Sequence, residues 1–263
     1  AQFTNTVGGA GIVAGAFADR NPQTTWLYRH HKLAFTYLGV TMPPGMLAPP
    51  TDGAEAPPGR HTGVELVPHD PWFYEHYVKP ETHPFMVEGE TVEPYEGPAE
   101  RAFSKAVFRD GFERDDGYLL MQGENIGPSF QGAGPQGNAI CRYTELGSLL
   151  LYQNVQKVTG WARSVVSVSR GQQDPMSAAC SAEAFFKTDD LQGLSSRMAD
   201  CGGAEWGRHV VRRRHAYFAV IDEVRFGETA PAGDDFQLVC RWRSYHAGEM
   251  VDERRFIALD GSN

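Results

Sequence analysis

The spacing of hydrophobic and polar positions changes period partway along the chain. From Thr6 to Leu38 the apolar residues Val7, Ile12, Val13, Phe17, Trp26, Leu27, Leu33, Ala34, Tyr37 and Leu38 fall at helical intervals, with Asn21 placed as an N-cap and Pro22 at the first helical position. The pattern predicts two short helices within residues 1–41. Their apolar stripes need a partner surface, because helices this short are marginal alone. Residues 42–60, MPPGMLAPPTDGAEAPPGR, are too dense in Pro and Gly for helix or ladder and read as a linker.

From residue 61 the period is two. FSKAVFRDGF, GYLLMQG, AICRYTEL, SLLLYQ, RSVVSVSRG, HVVRRRHAYFAVIDEVRFG and DFQLVCRWRSYH are β-rich runs separated by turn signals such as Arg109-Asp110-Gly111 and Asp115-Asp116-Gly117. In RRRHAYFAVIDEV, Arg214, Ala216, Phe218, Val220 and Asp222 alternate with Arg213, His215, Tyr217, Ala219 and Ile221. That spacing predicts one strand with a drier and a wetter face. Many strands with little helix between them predict a mainly β fold, an antiparallel layered sandwich over 61–263 preceded by the short helical segment.

Composition narrows the partners. Among 263 residues, 41% are hydrophobic, and no apolar run approaches the length of a membrane span. A net charge of -9 argues against nucleic acid, whose phosphates reward clustered Lys and Arg. The four cysteines, Cys141, Cys180, Cys201 and Cys240, are too widely spaced for a metal knuckle and leave three disulfide pairings open, with buried thiols the plainer expectation. The chain opens on Ala1 with no basic and apolar leader, as expected of a processed chain or a fragment.

The chemistry turns on residues 129–154, SFQGAGPQGNAICRYTELGSLLLYQN. Its turn, from Gln131 to Gly137, holds no acid, base, nucleophile or metal ligand. The surrounding segments explain why that matters. HDPWFYEHYV, FSKAVFRDGFERDDGYLLMQG, GNAICRYTELGSLLL, VVSVSRGQ, EWGRHVVRRRHAYFAVIDEV and DFQLVCRWR form one collinear series from Val64 to Arg243 that resembles the heparinase II/III-like polysaccharide lyases.

The resemblance implies an α/α toroid followed by a layered sandwich, with Thr6–Leu38 as the end of a toroid whose catalytic Tyr and Asn or His are not in this chain. It also implies a periplasmic or extracellular location. The family's sandwich carries His-x-His-x-Asp-x-Asn before a strand, an Asp after it and a His on the next. Registered on Asn138, those positions read Gly132, Gly134 and Gln136, then Tyr152-Gln153-Asn154, then the neighbourhood of Ala162. Elimination from a uronate needs a base for a weakly acidic proton and a donor set for the carboxylate. Gln136 and Asn138 can donate hydrogen bonds, but neither can take a proton.

The resemblance therefore implies a divergent, catalytically impaired sandwich of an acidic-polysaccharide lyase lineage. It would have no catalytic residue, no cofactor and no bound metal, and would bind glycan or act as a scaffold. Two other readings stand beside it: an active lyase completed by a second chain, and an assembly subunit without a ligand. A second chain or oligomer would cover the helical segment.

Two clusters add candidates. Arg208, Arg212 and Arg214 form the strongest local positive charge and would share one sheet face in an unbroken strand, where guanidinium forks suit the carboxylates and sulfates of an acidic glycan. The plainer alternative pairs them with the chain's own Asp and Glu. With Gln136 and Asn138 they form the expected substrate-binding set. His61, His69, Asp70, Glu75, His76 and His83 gather in one segment, but their spacing fits no familiar metal pattern, and surface histidines are the plainer expectation. In the same segment, Trp72, Phe73, Tyr74 and Tyr77 are expected to pin the linker to the sandwich.

Overall fold

The computed structural model describes residues 63–69, 71, 74–79, 85–87, 90–111, 115–124, 137–152, 164–169, 175–227, 237–244, 248–252 and 255–258. The chain divides into two units, Ala1–Arg60 and His61–Asn263. All described residues belong to the second. The helical segment expected over 1–41, the linker over 42–60 and the turn residue Gln136 lie outside them.

The described residues of the second unit are mainly β and their strands pair almost wholly antiparallel. β1 (Gly63–Val67), β4 (Lys105–Arg109), β5 (Tyr118–Gln122), β6 (Ile140–Glu145) and β7 (Ser148–Tyr152) form a five-stranded sheet in the order β1-β4-β5-β6-β7. β10 (Ser181–Lys187), β11 (Leu191–Met198), β12 (Ala204–Arg213) and β13 (Tyr217–Phe226) form a four-stranded meander. β8 (Val165–Ser169) pairs with β14 (Gln237–Arg241), and β15 (Gly248–Asp252) with β16 (Arg255–Ala258). β2 (Phe85–Val87) pairs with β3 (Glu90–Glu93), whose other side takes β9 (Pro175–Ser177) in parallel.

The two large sheets bury their facing sides in one core. Phe108, Leu119, Met121 and Ile140 come from the five-stranded sheet, Leu194, Met198, Trp206 and Val210 from the meander, and Val165 and Val166 from β8. Tyr143 and Phe218 meet edge to face across the layers, with ring centroids 4.5 Å apart. Each large apolar side chain buried this way contributes about 1.5–3 kcal/mol. A smaller cluster of Val78, Val92, Tyr95, Ala102, Ala178 and Ala179 sits beside it, with Tyr74 packed on its edge.

Two expectations need amending. The run through RRRHAYFAVIDEV is a hairpin rather than one strand: β12 ends at Arg213, a turn follows, and β13 begins at Tyr217. His215 takes the left-handed φ of 53° that reverses the chain, and no Gly, Pro or Asn signals the turn. Arg214 therefore lies beyond the strand that carries Arg208 and Arg212. The β10–β11 pair was not anticipated, because Ser, Gly and Gln break up its apolar alternation. Gln192 and Ser196 nevertheless face the core at 1% exposure each.

Candidate functional site

The described end of the turn before β6, Gly137-Asn138, is held by groups from the facing sheet. Asn138 adopts φ 59°, a left-handed conformation that Asn tolerates better than most side chains, and it is fully buried. Its amide nitrogen donates to the Trp206 carbonyl at 3.3 Å, and its side-chain oxygen accepts from Ser196 Oγ at 2.7 Å. The Asn138 carbonyl accepts from Arg208 Nη1 at 2.6 Å, and the same nitrogen donates to the Ser164 carbonyl at 3.0 Å.

Every nitrogen of the Arg208 guanidinium is engaged. Nε donates to Asp222 Oδ1 at 2.7 Å and Nη2 to Asp222 Oδ2 at 3.0 Å, the bidentate fork that arginine forms best. Trp206 lies with its ring centroid 4.8 Å from the guanidinium carbon, and Trp206 Nε1 donates to Asp222 Oδ1 at 2.9 Å. The Trp242 ring stands 5.8 Å from the same carbon. The β12 alternation puts Trp206, Arg208, Val210 and Arg212 on the buried face. In this setting a guanidinium tolerates burial because its charge, donors and flat faces are all matched.

Arg212 serves a second network. Both its terminal nitrogens grip the Asp110 carboxylate, the Nη2–Oδ2 distance being 2.6 Å, and Nη2 also donates to Glu145 Oε2 at 2.7 Å. Tyr143 donates to that same Glu145 oxygen at 3.0 Å. Burial works against the Arg212 charge, but Asp110 and Glu145 outweigh it and raise its pKa. Burial, followed by the adjacent Glu145 carboxylate, pushes the Tyr143 phenol above its ordinary value. Arg214 is one-third exposed and donates to the carbonyls of Asp110 at 3.0 Å and Asp189 at 3.2 Å.

The four described sequence candidates are thus not brought into one open face. Asn138 and Arg208 form one buried assembly. Arg212 lies about 13 Å further along β12, four residues on, and it joins Arg214 at Asp110 instead. Arg208 and Arg212 are 0% and 1% exposed, so acidic groups of the chain itself already hold the guanidinium forks. Their partners Asp110, Glu145, Ser164 and Asp222 were missed as site residues. Asp222 had a readable signal, since it is the acidic residue among Phe218, Val220 and Val224 on the drier face of β13.

Among the described residues, Asp110, Glu145 and His215 could converge on a cation, with one ligand atom from each lying within 4.8 Å of the others. Arg212 grips both carboxylates there and Arg214 adds a second guanidinium 3.5 Å from Asp110 Oδ1, so positive charge already fills the position. His69 corrects the expectation of surface histidines. It is buried, with Nδ1 3.0 Å from Glu124 Oε2, while His76 is exposed and His61 and His83 lie outside the described residues. Glu124 Oε1 accepts from Gln122 at 2.9 Å. No disulfide joins the cysteines: Cys141, Cys180 and Cys201 are buried and Cys240 is exposed.

The fold and these networks define an antiparallel β-sandwich braced by buried arginine–carboxylate pairs. No family model matches the chain, and no curated protein matches it. Solved structures that resemble it include heparan sulfate lyase HepC from Pedobacter heparinus, at 15% identity and TM-score 0.36, covering 46% of this chain and 21% of that one. Two others are the heparinase III-BT4657 gene product, at 16% identity and TM-score 0.37 over 46% and 20%, and a heparinase III, at 10% identity and TM-score 0.38 over 47% and 21%. The likeness is one of fold, over less than half of this chain. The chain in turn spans about a fifth of the length of those proteins.

Proposed function

We propose that this chain is a divergent sandwich of the heparinase II/III-like polysaccharide lyase lineage, catalytically impaired, that acts in binding an acidic polysaccharide. The observation that carries the reading is the Gly137-Asn138 turn. Its backbone is held by a fully engaged Arg208, while the preceding positions that would supply acid, base and ligand are Gly132, Gly134 and Gln136. The collinear series from Val64 to Arg243 supports the lineage. Within the expected set, Asn138, Arg208 and Arg212 act as framework. Arg214, with part of its side chain exposed, and Gln136, directly before the turn, are the groups we assign to glycan contact.

The internal pairing of Arg208 and Arg212 favours a second reading, an assembly subunit with no ligand. One experiment separates them from each other and from an active lyase. Heparan sulfate and other uronate-rich chains are incubated with the protein while the ultraviolet absorbance of an unsaturated product is followed, and sulfated oligosaccharides are titrated in parallel at two salt concentrations. Binding that weakens with salt and with Arg214→Gln, without product formation, supports the proposal. Steady product formation overturns the impairment, and absence of binding to every acidic chain favours the assembly subunit.

A further inference from the structure

The two edges of the meander are treated differently. β10 carries a bulge between Ala182 and Ala184, ends on Lys187, and is flanked by the short helical turn Ala99–Arg101. A bridge from Ala102 to Ser181 and an ion pair from Arg101 to Glu183 at 3.3 Å tie that turn to the strand. Bulges, lysines and covering segments are the devices by which sheets keep an edge from pairing with another chain. β13 has no bulge and no Lys, no strand among the described residues pairs with its other side, and its one inward charge, Asp222, is taken up by Arg208. It runs ten residues in unbroken register against β12, without Pro. Ile221, at its middle, is 63% exposed and Tyr217 is 52% exposed.

The sequence of β13 is complementary to itself, and of the antiparallel registers that oppose no like charges the one centred on Ile221 has the longest overlap, nine residues against seven for an axis through Val220. Residues opposite each other must lie on the same face, so a twofold axis has to pair odd positions with odd and even with even. An axis through Ile221 overlaps Tyr217 through Arg225 and sets Ile221 against its mate, Ala219 against Glu223, and Tyr217 against Arg225. It gives two aromatic–guanidinium pairs and no like charges opposed. On the other face it sets Phe218 against Val224 and Val220 against Asp222, whose carboxylate is already held by Arg208. The axis of equal overlap through Asp222 would oppose two carboxylates, and one through Glu223 would do the same with less overlap.

We infer that β13 is the self-association edge of this protein, and that its occupant is β13 of a second copy, joined antiparallel about a twofold axis through Ile221. The pairing is isologous and closed, so it stops at a dimer with one continuous eight-stranded sheet. It does not depend on whether the turn at Asn138 binds glycan.

The full chain is examined by sedimentation velocity and light scattering from submicromolar to high micromolar concentration, where a concentration-dependent dimer is expected. Ile221→Lys places two ammonium groups on the axis and should weaken association by about tenfold or more. Since the site is exposed, an unchanged circular dichroism spectrum should show that the fold persists. Register is tested in a Cys240→Ser background. Ile221→Cys should give a disulfide-linked dimer under mild oxidation, because directly opposed strand residues lie within disulfide reach. Ala219→Cys should not, because its mate is displaced by four residues. A monomer at every concentration, a dimer indifferent to Ile221→Lys, or equal cross-linking of the two cysteine variants overturns the inference.

Discussion

Arg208 Nη1 donates to the backbone carbonyl of Asn138 across the sandwich, at 2.6 Å, so the left-handed turn before β6 is fixed by a side chain seventy residues away. The same guanidinium is neutralised by Asp222, and the three residues form a single unit. Substituting one member leaves the others with buried, unmatched polarity.

Arg208→Ala is therefore expected to destabilise the sandwich by about 3–5 kcal/mol, the cost typical of breaking a buried pair from one side. Arg208→Lys should recover only part of this, since an ammonium cannot serve Asp222, Asn138 and Ser164 together. Urea unfolding of the three proteins gives the comparison. An alanine variant within 1 kcal/mol of wild type would mean that the bracket is not needed for folding.

Asp110 and Arg212 should be strongly coupled. Asp110→Asn and Arg212→Met are each expected to cost about 3 kcal/mol or more, because each strands a buried charge. The double substitution should cost clearly less than their sum, as residues in one network are not additive. A double-mutant cycle from denaturant midpoints measures the coupling, and strict additivity would refute it.

Stability should fall in alkali. Burial raises both the Cys180 thiol and the Tyr143 phenol, so the folded state keeps their protons while the unfolded chain releases them from about pH 9 and pH 10. The stabilisation is complete below those values and is lost as pH rises above them, at up to about 1.4 kcal/mol per pH unit for each group. Unfolding midpoints between pH 8 and pH 11, on the order of the ordinary thiol and phenol range, should decline in wild type. Tyr143→Phe should flatten the part above about pH 10.

Two glycines should respond oppositely to alanine. A Cβ at Gly123 would stand 2.1 Å from the Phe103 carbonyl oxygen, a backbone atom with little room to yield, so Gly123→Ala should cost about 1–3 kcal/mol. At Gly207 the nearest atom is His209 Nε2, at 3.6 Å, an ordinary contact. Gly207→Ala should be neutral or gain about 0.4–1 kcal/mol by restricting the unfolded chain. Thermal unfolding of the pair provides the check.

Much of the architecture was legible in the sequence because it is local. The period-two alternation located β4 through β8 and β14, since a strand with one buried side must write that side into every second residue. The β12–β13 run was legible as β but not as a hairpin, because the left-handed residue at the turn is His215, a type that carries no turn signal. β10 and β11 were hidden for a similar reason: Gln192 and Ser196 are polar in the sequence, and only their burial reveals them as inward positions. The site divides along the same line. The sequence by itself determined that residues 131–137 contain no acid, base, nucleophile or metal ligand, since residue type is fixed before folding. Only the tertiary structure decided what the arginines do. Whether a guanidinium meets a glycan or the chain's own carboxylate depends on which acidic residues arrive opposite it, and Asp222 reaches Arg208 from the neighbouring strand, whereas Asp110 and Glu145 reach Arg212 from the opposing sheet.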